Sequence, residues 1–330
     1  ISYKNLIKFS FQISKNIRFR SLALIICENT LEVIAFYIAC IQKSSVVILI
    51  DKSLNENGLK NIVEIYKPDY FFSRKNKIKM NNYNLIEDYG NFHLLKSIDN
   101  EKKYLNDNLS LLLTTSGTTG SSKFVRISKK NIDINTSQII NSLEIDKTHR
   151  TITTMPMNYT YGLSIINTHL VAGSSIVLNN KTFLDKEFWK KINEQSVQNF
   201  NGVPFMYEIL DKLKFEDMMP KSIKYITQAG GKLNRGIFEK FIKISREKKI
   251  KFISMYGQTE ATSRMSYLSW LSAEKKIGSI GKALSGGNFY LVNDQNKPIQ
   301  NHGIEGELVY EGENVSLGYS EKLSDLNLDD

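Results

Sequence analysis

A loop rich in glycine and hydroxyl side chains follows an apolar segment in the first half of the chain. The stretch Leu111–Val125 reads Leu-Leu-Leu-Thr-Thr-Ser-Gly-Thr-Thr-Gly-Ser-Ser-Lys-Phe-Val. Glycines let backbone N–H groups wrap closely around an anion, hydroxyls add hydrogen-bond donors, and a lysine supplies a countercharge. The pattern therefore predicts a cradle for a polyphosphate, built from Thr114, Thr115, Ser116, Gly117, Thr118, Thr119, Gly120 and Lys123.

Other phosphate and nucleophile motifs fit this loop less well. A Walker motif requires glycine immediately before its lysine, where this chain has Ser122. A nucleophile elbow requires glycines at the positions that Thr114 and Thr118 occupy. A plain turn of serine, threonine and glycine remains the alternative when this segment is considered alone.

A second segment places a flat aromatic ring and a carboxylate directly after an apolar, strand-like run. It reads Met-Tyr-Gly-Gln-Thr-Glu over Met255–Glu260. A hard cation that bridges phosphates prefers a carboxylate oxygen such as that of Glu260, and the ring of Tyr256 suits the face of a purine. Considered alone, the segment is equally typical of a turn with an exposed acid.

Together the two segments resemble signature motifs of the adenylate-forming superfamily, which contains acyl-CoA synthetases, aryl-CoA ligases, luciferases and the adenylation domains of peptide synthetases. The first is similar to Ser-Gly-Thr-Thr-Gly-x-Pro-Lys-Gly, with Ser122 in place of the proline and Phe124 in place of the last glycine. The second is similar to Tyr-Gly-x-Thr-Glu. Weaker similarities to other segments of the family occur in the same order along the chain, at Met155–Leu163, Gly202–Pro204, Gln228–Leu233, Gly278–Lys282 and Gly306–Leu308.

The resemblance implies a site for ATP. It implies that Lys123 and the loop hydroxyls hold the β- and γ-phosphates, that Tyr256 stacks on adenine, that Thr259 binds the α-phosphate and that Glu260 holds Mg²⁺. Lys123, Thr259 and Glu260 are thus the expected catalytic residues. The other residues expected to bind the nucleotide are Thr115, Ser116, Gly117, Thr118, Thr119, Gly120, Gly230, Gly231, Lys232, Gly257 and Gln258.

The segment Met155–Leu163 resembles the part of the family that borders the acyl pocket. Tyr159 stands where many acyl-CoA and aryl-CoA ligases have a histidine, and a tyrosine does not titrate near neutral pH. Gly162 stands where amino-acid-activating domains carry an aspartate, so a buried α-ammonium group would have no partner. We therefore expect an acid that lacks an α-amino group, in a pocket formed by Asn158, Tyr159, Tyr161, Gly162 and Met255.

Short apolar runs alternate with amphipathic stretches along most of the chain, which favours an α/β fold with parallel strands covered on both faces. The predicted strands are Leu22–Cys27, Val46–Ile50, Tyr70–Phe72, Leu109–Leu113, Thr151–Met155, Ser175–Leu178, Lys224–Thr227 and Lys251–Ser254. The predicted helices are Leu31–Ile41, Leu59–Tyr66, Phe188–Glu194, Phe205–Lys214 and Arg235–Lys248. Two further predicted strands, Asn288–Asn293 and Glu307–Tyr310, have a residue pattern typical of an antiparallel pair.

The resemblance implies a luciferase/acyl-CoA synthetase-like large domain. We expect two helix-flanked, mostly parallel sheets over residues 1–276, followed over 277–330 by the start of a small antiparallel β subdomain. The family's ribose-binding aspartate usually follows a Gly-Tyr pair such as Gly318–Tyr319 by some tens of residues, and it has no counterpart before residue 330. Because the chain also begins at Ile1, we expect it to be an excised part of a longer protein, without the family's small C-terminal domain, and therefore weakly active or inactive as a ligase on its own.

The composition is typical of a globular protein of one large domain or two smaller ones, with 330 residues, 41% of them hydrophobic and 24% charged. Cys27 and Cys40 lie in apolar runs, which predicts buried, reduced thiols. The net charge of +10 is spread over scattered lysines, which indicates a solvated surface and no nucleic-acid partner. No secretory signal opens the chain and no apolar run is long enough for a bilayer, so we expect a cytoplasmic protein without membrane insertion.

The function implied by the resemblance is activation of a carboxylic acid by Mg·ATP to an acyl-adenylate and pyrophosphate. The acyl group would then be transferred to a thiol. That thiol would belong either to coenzyme A or to the phosphopantetheine of an acyl carrier protein. A family member that binds ATP or AMP without ligase activity is the alternative. The pattern favours no particular aryl, short-chain or hydroxy acid and no particular oligomeric state.

Overall fold

The computed structural model describes residues 1–75, 80–99, 101–115 and 123–329. The helices in these ranges are α1 (Tyr3–Ser14), α2 (Leu31–Gln42), α3 (Glu56–Tyr66), α4 (Lys129–Leu143), α5 (Thr160–Val171), α6 (Lys186–Glu194), α7 (Pro204–Lys212), α8 (Phe215–Met218) and α9 (Arg235–Glu247). The strands up to residue 128 are β1 (Leu22–Cys27), β2 (Val46–Asp51), β3 (Tyr70–Arg74), β4 (Tyr83–Tyr89), β5 (Phe92–Ser97), β6 (Leu109–Thr114) and β7 (Phe124–Ser128). Those that follow are β8 (Arg150–Ile152), β9 (Ser175–Val177), β10 (Asn199–Gly202), β11 (Tyr225–Gln228), β12 (Lys251–Tyr256), β13 (Ser266–Leu268), β14 (Lys282–Ala283), β15 (Asn288–Val292), β16 (Glu307–Glu311) and β17 (Tyr319–Ser320).

The first sheet has eight strands in the order β17-β7-β6-β2-β1-β3-β5-β4. Its centre, β6-β2-β1-β3, is parallel, and the strands on both sides of that centre pair antiparallel. Every residue of β1 is buried, as are all of β2 except its last residue, Asp51. Strands that are covered on both faces read as continuous apolar runs, which is why the sequence pattern identified these two.

The second sheet has seven strands in the order β14-β13-β12-β11-β10-β8-β9. Its strands from β12 to β9 are parallel, whereas β13 and β14 are antiparallel. A separate antiparallel pair, β15 and β16, forms the third sheet. The chain therefore delivers the carboxyl ends of β10, β11 and β12 to one edge of the second sheet.

Helices cover both large sheets. Ala23 and Ile25 of β1 pack in the core formed with α1 and α2, while Leu22 and Leu24 pack on the opposite face with α3. Helices α6, α7 and α9 cover one face of the second sheet. Helix α5 lies between the two sheets, because Leu163 and Ile166 join the core of the first sheet while Tyr161 and Ile165 pack with residues of β12.

The α/β fold class is confirmed, with one correction to the expected pairing. The second sheet is mostly parallel as expected, but the first is mixed. The turn between β4 and β5 comprises only Gly90 and Asn91, and such a short connection joins antiparallel strands, whereas parallel strands need a long crossover.

The segment expected to form the antiparallel subdomain contributes to all three sheets. Strands β15 and β16 form their own pair, but β14 extends the second sheet and β17 extends the first. The division of the chain at residue 276 stays a prediction.

The two cysteines are free and buried, and burial raises the pKa of both thiols. Among the residues that the structure describes, no helix combines the length and apolar character needed to cross a membrane.

We expect the stacked pair of Phe36 and Phe72 to contribute strongly to stability. Phe36 of α2 has no exposed surface, and its ring centre lies 4.2 Å from that of Phe72 in β3. Phe36→Ala should lower the free energy of unfolding by about 3–5 kcal/mol. In the matched control, Phe19→Ala should change it by less than about 0.5 kcal/mol, because Phe19 is 72% exposed. Equal effects in urea unfolding would contradict this assignment of the core.

Candidate functional site

The loop predicted to hold phosphates connects β6 to β7. Thr114 and Phe124 are paired across these antiparallel strands, so the two ends of the loop are neighbours. Because β6 runs parallel to β2, the loop leaves the sheet at the carboxyl edge of its parallel strands, where open α/β sheets bind ligands. Thr115 and Lys123 are at the ends of the loop, whereas the predicted residues Ser116, Gly117, Thr118, Thr119 and Gly120 lie outside the described residues.

The second motif begins at the carboxyl end of β12, where the chain turns sharply after Tyr256. A Cβ atom at Gly257 would overlap the backbone carbonyl oxygen of Ser263, so the strand and the returning segment approach as closely as only glycine allows. Thr259–Ala261 then form a 3₁₀ turn, in which Thr259 is buried and Glu260 is half-buried. The turn thus holds the Glu260 carboxylate at the surface, at the end of a buried strand.

Tyr319 connects the two motifs. Strand β17 pairs with β7 so that Tyr319 lies opposite Val125. The Tyr319 hydroxyl donates a hydrogen bond to Oε1 of Glu260 at 2.8 Å, and Nζ of Lys123 lies 4.1 Å from the centre of its ring. The Glu260 carboxylate raises the pKa of Tyr319, so the phenol remains a neutral donor at physiological pH. Residues from distant parts of the chain therefore meet at one aromatic side chain.

A cavity of about 400 Å³ opens beside the second motif, within the range of small-molecule sites. The ends of β11 and β12 and the segment 278–280 contribute to its walls. Gln228 fixes one wall, because it accepts a hydrogen bond from Ser254 Oγ at 2.9 Å and donates one to the carbonyl of Gly231 at 2.7 Å. The predicted site residues that line this cavity are Gly230, Gly231, Lys232, Met255, Tyr256 and Gly257, whereas Gln258 and Thr259 do not.

The predicted substrate-pocket residues divide between two places. The hydroxyl of Tyr159 lies directly beside Gly230, at the cavity, and burial raises its pKa. Tyr161 is buried behind it, with the two ring centres 6.4 Å apart. Asn158 instead donates a hydrogen bond to Asp51 Oδ2 at 3.2 Å, at the end of β2 in the first sheet.

Gly162 has no room for a side chain. A Cβ atom there would overlap the carbonyl oxygen of Pro156, because the first turn of α5 packs directly on the preceding loop. An aspartate at this position would require the backbone to move. The packing thus agrees with the expectation that no acidic partner for an α-ammonium group stands here.

Two residues of the site were missed by sequence reasoning. In the sequence analysis, Gly318–Tyr319 serves only to locate the expected ribose-binding aspartate, and Asn314 is assigned no role. The side-chain amide of Asn314 donates a hydrogen bond to the carbonyl of Ala261 at 2.9 Å, and the backbone carbonyl of Asn314 accepts one from Thr262 Oγ1 at 2.7 Å, which fixes the turn that carries Glu260. The contacts of Tyr319 and Asn314 join segments far apart in the sequence, so no local sequence pattern predicts them.

We expect Gly257→Ala to destabilise the protein, since the new methyl group would meet the Ser263 carbonyl. Overpacking of this kind should cost about 3 kcal/mol in the free energy of unfolding. Gly236→Ala in α9 is the matched control, because a Cβ atom there makes only an ordinary contact and alanine favours the helix. A Gly257→Ala protein as stable as wild type in thermal denaturation would contradict the close approach of Gly257 to Ser263.

Comparison with known proteins adds three findings. The chain is 28% identical over 214 residues to an oxalate–CoA ligase of Saccharomyces cerevisiae, covering 64% of this chain and 38% of that protein. It is 24% identical over 301 residues to a 2-succinylbenzoate–CoA ligase of Oceanobacillus iheyensis, covering 89% and 60% respectively, so it spans less than two thirds of either relative. The structure of the o-succinylbenzoate coenzyme A synthetase of Bacillus subtilis in complex with ATP and magnesium ion is similar in fold, with a TM-score of 0.75 at 21% identity over 97% of this chain and 67% of that one.

The sequence profile described as "AMP-binding enzyme" matches residues 10–320, which is nearly the whole chain. The family resemblance of the two motifs is thereby confirmed. The chain belongs to the family of AMP-binding enzymes.

Proposed function

We propose that these residues bind Mg·ATP and activate a carboxylic acid as its acyl-adenylate, which then passes its acyl group to the thiol of coenzyme A. The observation that carries this proposal is the meeting of Lys123 and Glu260 at Tyr319, which brings a cation and a carboxylate from the two motifs to one place. Membership of the AMP-binding enzyme family supports it. The relatives named above are CoA ligases, which favours coenzyme A over a carrier protein as the thiol.

In this proposal the nucleotide extends from the cavity to the loop between β6 and β7. Tyr256 lines the cavity and offers its ring to adenine, beside the backbone of Gly230 and Gly231. Thr259 contacts the α-phosphate, and Lys123 and the loop hydroxyls contact the outer phosphates. Lys123 is 40% exposed, with its Nζ 3.6 Å from Oε1 of Glu321, so its ammonium group lies at the surface where an anion could approach.

Glu260 suits a magnesium ion. Its Oε1 accepts the hydrogen bond from Tyr319, while Oε2 accepts none from the residues that the structure describes. A half-buried carboxylate with one oxygen held and the other available matches the ligand that Mg²⁺ prefers next to phosphate oxygens. Magnesium bound there would neutralise charge on the phosphates during the reaction.

The adenylation step requires two anions to meet. An oxygen of the substrate carboxylate attacks the α-phosphorus, the bond from that phosphorus to the β-phosphate oxygen breaks, and pyrophosphate leaves. The residues of this chain contribute by position and charge: Lys123 offsets the negative charge of the leaving group, and the buried Thr259 hydroxyl holds the α-phosphate in line. Gly162 leaves no acidic partner for an ammonium group, so we propose an acid without an α-amino group.

Carboxylate-dependent exchange of radioactive pyrophosphate into ATP tests the proposal. We expect exchange with one class of acids lacking an α-amino group, and we compare these 330 residues with the complete reading frame that encodes them. If neither protein exchanges with any acid, amino acids included, while AMP still binds, the chain is a nucleotide-binding module without ligase activity.

Glu260→Gln should lower magnesium-dependent exchange by about 10²–10³-fold, since it removes a charge from the metal and phosphate site. Binding of AMP in the absence of magnesium should change less than about twofold. Glu313→Gln serves as the control, because Glu313 is exposed and its carboxylate pairs with the exposed Lys130. Unchanged exchange in Glu260→Gln would remove Glu260 from the mechanism.

A further inference from the structure

Arg264 is a buried arginine that has no acidic partner among the described residues. It lies between the 3₁₀ turn and β13, and only 2% of its surface is exposed. Asn135 of α4 holds its backbone, accepting from the Arg264 amide at 3.2 Å and donating to its carbonyl at 2.7 Å. The backbone is therefore fixed from one side, and the guanidinium extends into the interior.

The guanidinium contacts groups that do not neutralise it. Its Nη1 lies 3.1 Å from the sulfur of Met255, a weak acceptor, and its central carbon lies 4.6 Å from the centre of the Tyr161 ring. Nε is buried without a hydrogen-bond partner. The titratable side chains whose charges influence it are Tyr161 and Tyr225, and it influences His169 in turn.

Those neighbours are all neutral at physiological pH. Burial raises the pKa of both tyrosines and lowers the pKa of His169 to about 4. Burial also lowers the pKa of Arg264 itself. Burying a charge without an opposite charge lowers the stability of the folded state, because the charge loses its hydration. Proteins retain such groups mainly where the group serves a function.

Arg264 lies one side chain away from the cavity. Met255 lines the cavity together with Gly230 and Tyr256, and its sulfur is the atom that contacts Arg264. Methionine is unbranched and flexible, so it can move aside at little cost. Tyr161, whose ring the guanidinium covers, borders Tyr159 at the same wall.

We propose that Arg264 binds a second carboxylate of the substrate, so that the acid activated by this protein is a dicarboxylic acid. This inference rests on the proposed function for the identity of the site. Nε and Nη2 form the edge of a guanidinium that pairs side-on with a carboxylate, and Nε is buried without a hydrogen-bond partner. Arg74 uses the same edge toward Glu28 in this molecule, at 2.9 Å and 2.5 Å.

Binding and exchange with matched acids test this inference. The probes are the linear dicarboxylates from oxalate to suberate and the aromatic homophthalate, each compared with its monoacid, such as adipate with hexanoate and homophthalate with phenylacetate. Calorimetry with the 330-residue chain should show at least one diacid binding more than tenfold tighter than its monoacid. The same diacid should be preferred in pyrophosphate exchange.

Arg264→Met should weaken binding of that diacid by about 10–100-fold and leave its monoacid within about twofold. Arg264→Lys keeps the charge without the planar edge and should lose part of the preference. Arg235→Met is the control, since Arg235 is an exposed residue of α9. A role in packing alone predicts instead that Arg264→Met lowers the melting temperature and affects both acids equally.

Each outcome decides either the inference or the proposed function. If no diacid binds better than its monoacid to the wild-type chain, the inference is overturned, whether or not the variants fold. If exchange proceeds with monoacids and Arg264→Met does not alter it, the proposed function stands and the inference fails. If no acid supports exchange but diacid binding depends on Arg264, the role of Arg264 in binding a second carboxylate stands and the activation reaction fails.

Discussion

The pairing of β17 with β7 is the constraint on which the site depends. It returns the end of the described chain to the strand that begins beside Lys123, and it places Tyr319 where its hydroxyl reaches Glu260. Without this pairing, the loop after β6 in the first sheet and the turn after β12 in the second sheet would have no described side chain in common. One two-residue strand therefore links the two large sheets at the edge where their parallel strands end.

Close backbone packing gives the site its shape. Gly257 lets the chain fold back against Ser263 around the turn that carries Glu260, and Gly162 lets α5 begin directly on the preceding loop. The charged side chains of the site differ in how exposed they are. Lys123 and Glu260 are accessible, whereas Arg264 is enclosed among neutral rings. This distribution is the one that the proposed function and the inference about Arg264 require, with phosphates at the mouth of the site and one further anion at its inner end.

Much of this was predictable from the sequence where the signal is local. Strands such as β1 and β2 are continuous apolar runs, and the two motifs that flank the site are short segments. The pattern missed α4, because its buried face mixes apolar side chains with Asn131, Asn135 and Gln138, whose side chains bind distant backbone. It also missed Tyr319, since a tyrosine joins a site through pairing between distant strands, which a single sequence does not display.

The most direct test of this account is the affinity of Tyr319→Phe for ATP with and without magnesium, measured by calorimetry. Loss of the hydrogen bond to Glu260 should weaken magnesium-dependent ATP binding about five- to tenfold, because such a bond contributes about 1 kcal/mol, and should leave AMP binding within about twofold. Tyr290→Phe is the control, as Tyr290 makes an equivalent bond to Glu311 on the separate two-stranded sheet. Unchanged binding of Mg·ATP by Tyr319→Phe, or an equal loss for ATP and AMP, would contradict the central role of this contact.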